Sequence, residues 1–540
     1  MTVEQQMMHH KVLTSVAAGL GTAGLATLRI TEPLLSSRHL ILFHLTGSSA
    51  PFISAAAFGV VLATLMFAAL WYIAGLSLWA GRLLALAVFA SLPGVIMSMA
   101  ATHFDLARPE LWQLWTQAGL LSLLVLLLAA SPRAFDHVAS FGKQLLCWCS
   151  LFSIAVVFQL LSIIGYTRHL NDPAQLRAAS ATSAAAGHQG KIIWILMDEL
   201  SYRQVYEHPA QGVRLPAFDQ LRAESSVFTH TVPAGLYTSN VLPSLITGRR
   251  VTDVRSTWDG RMIALFAATG KWSELQPAST VFADADANGY NSGIEGWYNP
   301  YCRVLPGELY RCGWALRDLT LGGMTPGSPV IVNALWAAEN AADAVIPVAQ
   351  SDPAQALRKR QQHAMDYQQL LTESMALLRD PEATFVFLHL PVPHMPGIYN
   401  RRSETTTASS GTYLDNLTLA DRTFARIHDQ LVSQSEWDNS TIVLMGDHSW
   451  RVQLLRQLPS WTAEEERASD GGVFDDRPAY VVKLPNQHTG TTIDSSYNAL
   501  RTRDLFDHLF TGQMTTPEQL AQWAAAPASV PGMASPAAIP

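Results

Sequence analysis

The run Ile192-Ile193-Trp194-Ile195-Leu196-Met197, closed by Asp198-Glu199, decides the fold. Six apolar residues in succession read as a strand buried on both faces, the pattern of a parallel sheet. Three further runs repeat it: Thr384-Phe385-Val386-Phe387-Leu388-His389-Leu390, Thr441-Ile442-Val443-Leu444-Met445 and Ala479-Tyr480-Val481-Val482-Lys483-Leu484. Between them, 365–378 and 414–431 carry apolar residues at helical spacing. Strands alternating with helices predict an open α/β sheet, mostly parallel. Ligands of such sheets bind beyond the carboxyl ends of the strands. The residues there are Asp198-Glu199, Pro391-Val392-Pro393-His394-Met395-Pro396 and Gly446-Asp447-His448-Ser449. Carboxylates and imidazoles from separate strand ends, with a hydroxyl, form a ligand set for a divalent cation. His389 lies inside one of these strands and is placed on the substrate side.

The stretch Tyr237-Thr238-Ser239-Asn240-Val241-Leu242-Pro243-Ser244-Leu245-Ile246-Thr247-Gly248 supplies that hydroxyl. It reads as a turn followed by a short helix, with Pro243 in the first helical turn and Gly248 closing it in the left-handed conformation. Thr238 or Ser239 then sits at the positive end of the helix, which favours an anion. A hydroxyl there attacks a phosphoryl or sulfuryl centre only if its pKa is lowered, and a divalent cation does this.

The rest of the composition is split. Of 540 residues, 49% are hydrophobic and only 15% charged, and the apolar residues crowd into the first third. Five apolar stretches, 12–30, 52–76, 83–102, 114–130 and 145–166, approach the roughly 20 residues that span a bilayer. They predict an N-terminal transmembrane helical bundle over 1–166, followed by a linker at 167–190. With the N-terminus inside, everything after residue 166 lies outside the cytoplasm, although the bias of basic residues is weak. The catalytic domain is expected over 191–523 and a disordered Ala/Pro/Ser-rich tail over 524–540. A formal net charge of -7 provides no basic footprint for nucleic acid.

In order and spacing these motifs resemble the alkaline phosphatase superfamily, in its sulfatase-like branch. Within that branch the chain is similar to bacterial inner-membrane phosphoethanolamine and phosphoglycerol transferases, which join several N-terminal spans to a periplasmic catalytic domain. The likeness covers about 191–512. Met197-Asp198-Glu199-Leu200 resembles the acidic metal motif of that family, with Asp198 and Glu199 both expected near the metal. Thr238, shortly before Pro243, resembles its threonine nucleophile, Gly446-Asp447-His448 its metal-binding pair, and Pro393-His394-Met395-Pro396 its substrate-side histidine motif. Tyr413-Leu414-Asp415-Asn416 with Asp421 resembles a structural segment.

The resemblance implies a divalent metal, zinc before manganese, magnesium or calcium, on Asp198, Glu199, Thr238, Asp447 and His448. Thr238 would be the nucleophile, and His394 would shuttle a proton or bind the phosphate. It implies a phospholipid donor and a periplasmic glycan or lipid acceptor, and leaves the oligomeric state open. Sulfatases proper carry Cys or Ser two residues before a proline, the precursor of formylglycine. This chain has no cysteine there, which disfavours sulfate-ester hydrolysis. A membrane-tethered phosphodiesterase or sulfuric ester hydrolase is the alternative, and a non-catalytic envelope scaffold a more distant one. Periplasmic exposure would allow a Cys302–Cys312 disulfide. Ser239 and Trp297 are placed on the substrate side, and Trp297, Tyr298 and Tyr301 either stack on a sugar or pack their loop onto the sheet. Arg477 either contacts a phosphate or forms a surface ion pair.

Overall fold

The run that opens the second part of the chain forms strand β1 (Ile192–Met197), whose side chains are at most 5% exposed. The computed structural model describes residues 3–35, 50–104, 110–170, 174–179, 190–257, 261–315, 329–332, 335, 353–407 and 411–526. Around β1 lie β2 (Ser226–Phe228), β3 (Ser292–Trp297), β4 (Arg311–Ala315), β5 (Phe385–Leu390), β6 (Thr441–Gly446), β7 (Tyr480–Lys483) and β8 (Thr491–Ile493). They form one eight-stranded sheet in the order β8-β2-β7-β6-β1-β5-β3-β4. From β6 through β1, β5 and β3 to β4 every pairing is parallel, whereas β7 runs antiparallel to both β6 and β2. The central strands are apolar throughout because both of their faces are covered, which is why they read as runs rather than alternations.

Register places the strand ends together. Met197 pairs with Gly446 on one side and with Leu390 on the other. Asp198, Asp447 and the loop after Leu390 therefore emerge side by side. Gly446 is required there, since a Cβ would lie 2.5 Å from the Leu200 carbonyl oxygen. Residues 174–179 pair with the loop before β4, through Arg177 N–H to the Leu309 carbonyl and Gly307 N–H to that of Gln175.

The chain divides into two units, one comprising 1–172 with 318–356 and the other 173–317 with 357–540. In the first, the described residues include the helices α1 (Val3–Leu35), α2 (Ala50–Ala74), α3 (Leu78–Phe104), α4 (Glu110–Ala130), α5 (Pro132–Cys149) and α6 (Phe152–Leu170). They enclose a core of Ala18, Trp71, Phe89, Leu124, Phe135 and Leu146, and Arg82 of α3 pairs with Asp136 of α5 at 2.8 Å. Among the described residues three stretches are long and apolar enough to cross a membrane: 53–74, 78–97 and 132–162, with 114–130 apolar but shorter. The expected span at 12–30 falls inside α1, whose first part is polar with Gln5, Gln6, His9, His10 and Lys11. The expected span at 145–166 straddles the junction of α5 and α6 at Ser150-Leu151. Cys147 and Cys149 are free thiols. The tail beyond residue 526 lies outside the described residues.

One buried carboxyl in the sheet has a measurable consequence. Glu295 of β3 sits opposite Gly313 of β4, and a Cβ at Gly313 would lie 2.1 Å from its Oε2. Burial, reinforced by Glu373 and opposed by Arg311, raises its pKa to about 8. The folded chain therefore holds a proton that the unfolded chain releases, so stability falls as pH rises from the ordinary glutamate range to about 8. Glu295→Gln should raise the thermal midpoint by several degrees at about pH 8 and change it little at about pH 5. A difference independent of pH would contradict this account.

Candidate active site

The hydroxyl is delivered by helix α7 (Thr238–Thr247). Tyr237, extended at φ -124 and ψ 130, caps it, and its carbonyl accepts from the N–H groups of Asn240 and Val241 at 2.9 Å. The helix thus begins at Thr238, and Pro243 is its sixth residue rather than part of its first turn. Gly248 ends it at φ 65. Thr238 stands at the end where free amides and the dipole favour negative charge. It is 6% exposed. Its Oγ1 lies 2.8 Å from Asp447 Oδ2 and 3.1 Å from Asp198 Oδ2, so a single proton is shared between two carboxylates. Ser239 turns away, its hydroxyl donating to Asn240 Oδ1 at 3.4 Å.

Asp198, Asp447 and His448 are fully buried and offer ligand atoms within 4.8 Å of one another. His448 Nε2 is 3.2 Å from Asp447 Oδ2 and 3.8 Å from Asp198 Oδ1. Its Nδ1 lies 3.0 Å from the Ser449 carbonyl, which fixes the proton there and leaves the Nε2 lone pair facing the carboxylates. Asp447 Oδ1 accepts from the N–H groups of Glu199 at 3.0 Å and His448 at 2.8 Å. Among the described residues Asp198 Oδ1, His448 Nε2 and His389 Nε2 are buried without a hydrogen-bond partner. Such orphaned groups, hard and borderline donors in one place, fit a divalent cation. Burial raises the pKa of Asp198, but His394, His389 and His448 outweigh it and hold the carboxyl below the usual range. Burial and the neighbouring Asp198 push Asp447 upward.

Glu199 does not join this group. Its φ of 67 is left-handed, and its carboxylate reaches Arg451 Nε at 2.6 Å. Successive residues here point apart: Asp198 faces the hydroxyl, while Glu199 sends only its N–H to Asp447. The Glu199 carbonyl accepts from the Tyr413 hydroxyl at 2.8 Å. Arg477 is likewise elsewhere. Its Nε meets Asp475 Oδ1 at 2.9 Å, its Nη1 meets the Thr229 carbonyl at 3.1 Å, and it also pairs with Glu207. The surface ion pair, not the phosphate contact, is the arrangement found.

Imidazoles and aromatic rings wall the other side. His389 Nε2 is 3.9 Å from Asp198 Oδ2, and its Nδ1 is 2.8 Å from the Tyr301 hydroxyl. Tyr301 opens the short helix α8 (Tyr301–Val304), which the Cys302–Cys312 disulfide ties to β4. The Trp297 ring packs 5.2 Å from that of His394 and 5.3 Å from that of His363. Trp297 is buried in the core, with its Nε1 unpartnered. The His394 carbonyl accepts from Asn416 Nδ2 at 2.8 Å, and Ile398 N–H donates to Asn416 Oδ1 at 2.9 Å. Asp421 accepts from Phe218 N–H. Asn416 thus braces the histidine loop, while Asp421 holds the helix Pro216–Ala223, and both act structurally.

Sequence reasoning missed His363 and Arg451, whereas Tyr298 and Tyr301 were named with Trp297. His363 lies on the helix Pro353–Leu378, where its spacing is that of any core residue. Burial, with His394 beside it, pushes its pKa to about 3, so it is a neutral imidazole. Burial and Asp198 raise the Tyr298 phenol to about 12. The aromatic density of 297–301 was the available signal for the tyrosines.

A threonine hydroxyl between two buried carboxylates, at strand ends of a parallel sheet, is a nucleophile set beside the donor group of a divalent cation. A family model described as Sulfatase matches residues 191–469, and the chain belongs to that family. It is an enzyme of the sulfatase-like superfamily. No curated protein matches the chain. Among solved structures it is similar to the PsFucS1 sulfatase from Pseudoalteromonas sp. (14% identity over 61% of this chain and 69% of that one, TM-score 0.38). It is also similar to the phosphonate monoester hydrolases of Agrobacterium radiobacter (13%, 60% and 74%, 0.35) and Silicibacter pomeroyi (13%, 63% and 78%, 0.37). Members of the superfamily are metal-dependent. The three stretches able to cross a membrane all precede the matched region.

Proposed function

We propose that this protein is a membrane-anchored transferase that moves a phosphoryl-alcohol headgroup, of phosphoethanolamine or phosphoglycerol type, from a phospholipid to a glycan or lipid acceptor. Its place is the bacterial inner membrane, with the catalytic domain in the periplasm. The observation that carries the reading is Thr238 Oγ1, bonded to both Asp198 and Asp447 at the start of α7. The apolar N-terminal helices support a donor drawn from the bilayer.

Asp198, Asp447, His448 and Thr238 Oγ1 are the groups that would hold the cation, zinc being favoured. When bound, a divalent cation lowers the pKa of the hydroxyl and neutralises charge on the transferred group. Thr238 Oγ attacks the phosphorus and gives up its proton through the carboxylate oxygens beside it. The bond from phosphorus to the diacylglycerol oxygen breaks, and that oxygen takes a proton from His394. In the second half His394 recovers a proton from the acceptor hydroxyl, whose oxygen attacks the phosphorus, and Thr238 Oγ leaves with its own proton restored. Two displacements replace one difficult transfer. His389, held by Tyr301, stands 3.9 Å from Asp198.

Peptide mass spectrometry of the full-length protein from its own membrane tests this. The expected result is a headgroup-phosphate adduct on Thr238 whose mass names the headgroup, with product formation dependent on a glycan or lipid acceptor. Release of the headgroup to water at the same rate with and without acceptor would replace the transferase by the hydrolase reading, which shares the family match and the same nucleophile.

A further inference from the structure

Arg451 follows Asp447 by four residues and belongs to no motif in the sequence, yet its side chain pairs with Glu199, the residue beside Asp198. Its side chain is only 15% exposed. A guanidinium has five N–H donors in a planar fork. In Arg451 the Nε–H is taken by Glu199 Oε1 at 2.6 Å, and among the described residues the two terminal nitrogens have no hydrogen-bond partner. The pair is single, through Nε, since Glu199 Oε2 is buried without a partner. This differs from Arg477, whose nitrogens are spread over Asp475, Glu207 and the Thr229 carbonyl.

The support beneath Arg451 is rigid. Trp450 stacks on Tyr413 with ring centroids 4.3 Å apart and planes 6° from parallel. Tyr413 donates to the Glu199 carbonyl, and the Glu199 N–H is bonded to Asp447. A non-glycine residue is rarely held at a φ of 67, and such strain concentrates at functional positions. Here that conformation lets one dipeptide send Asp198 to the hydroxyl and Glu199 to the arginine. Burial disfavours the charge on Arg451, but Glu199, Asp198 and Asp447 more than restore it, so the guanidinium stays cationic beside the cluster.

We propose that Arg451 is the oxyanion-recognition residue of the site, its free edge binding the non-bridging oxygens of the tetrahedral ester presented to Thr238, and that Glu199 is its positioning residue rather than a metal ligand. The proposal rests on the reading that Thr238 attacks a phosphoryl or sulfuryl centre. A planar fork with two parallel donors matches two oxygens of such a group, which an ammonium cannot do.

The test is titration of the metal-loaded full-length protein with inorganic phosphate and, separately, inorganic sulfate, with metal content measured on the same samples. Arg451→Ala should weaken the preferred anion by about tenfold to a hundredfold, the worth of hydrogen bonds to a charged group, and leave the metal in place. Arg451→Lys should recover part of the loss, and Glu199→Gln should weaken the anion while keeping the metal. The double variant Arg451→Ala/Glu199→Gln removes both charges together, so it remains informative if the unpaired buried carboxylate of Arg451→Ala prevents folding. Phosphate preferred over sulfate assigns a phosphoryl substrate, and the reverse a sulfuryl one. Unchanged anion affinity in Arg451→Ala and in the double variant overturns the role of Arg451, and loss of metal in Glu199→Gln overturns that of Glu199. A wild-type protein that binds neither anion overturns the phosphoryl or sulfuryl reading itself, and this proposal with it.

Discussion

Thr238→Ala is expected to lower turnover by at least about ten-thousand-fold, the scale seen when a covalent nucleophile is deleted, while the protein stays folded. The change removes one hydroxyl and one methyl group from a buried position whose backbone begins α7. The helix keeps its Tyr237 carbonyl bonds to Asn240 and Val241, and Gly248 still ends it. What disappears is the donor shared by Asp198 and Asp447. Losing a bond to a charged group costs about 1.5–3 kcal/mol, less than the stability of a typical domain. Steady-state kinetics beside circular dichroism checks both halves. Thr238→Ser retains the oxygen and should retain part of the rate. Full turnover in Thr238→Ala would reject the mechanism or transfer the role to Ser239, whose hydroxyl is bonded to Asn240.

Asp447→Asn should cost more than about a hundredfold in metal affinity, since even groups behind the ligands commonly cost ten- to a hundredfold, and activity should fall with it. The asparagine variant is the informative one. Its amide oxygen can still accept from the N–H groups of Glu199 and His448, which alanine would leave buried and unpaired at about 1–3 kcal/mol each. Removing one of two buried carboxylates also relieves their repulsion, so the metal-free protein should be no less stable than the metal-free wild type. Elemental analysis after dialysis, with thermal melts in the presence and absence of zinc, reads both effects. Unchanged metal content would place the cation elsewhere.

The strand ends were legible because a parallel sheet is simple in sequence. Each central strand is a block of apolar residues, and the polar residue that ends the block faces the ligand edge. Asp198, His394, Asp447 and His448 could therefore be named from spacing, whereas the start of a helix pointed to Thr238 or Ser239 alike and the family resemblance singled out Thr238. Adjacent acids are different. Whether Asp198 or Glu199 turns inward depends on one backbone angle, the φ of 67 at Glu199, and no pattern in the chain encodes it. Arg451 and Arg477 look equivalent on paper. Burial beside Glu199 leaves the first with a free edge, while three partners consume the second.

The sequence by itself determined the α/β class, the apolar N-terminal third and the ligand-bearing strand ends, because these follow from local hydrophobic pattern and from the rule that sheet ligands gather beyond carboxyl ends. Only the tertiary structure decided which groups meet. The Met197–Gly446 register sets Asp198 beside Asp447. Long-range packing brings His363 and Tyr301 against the histidines from separate helices. A single hydrogen bond to Glu199 leaves Arg451 poised with donors to spare. Those outcomes depend on contacts between residues far apart in the chain, and the energy that fixes them exists only once the sheet has assembled.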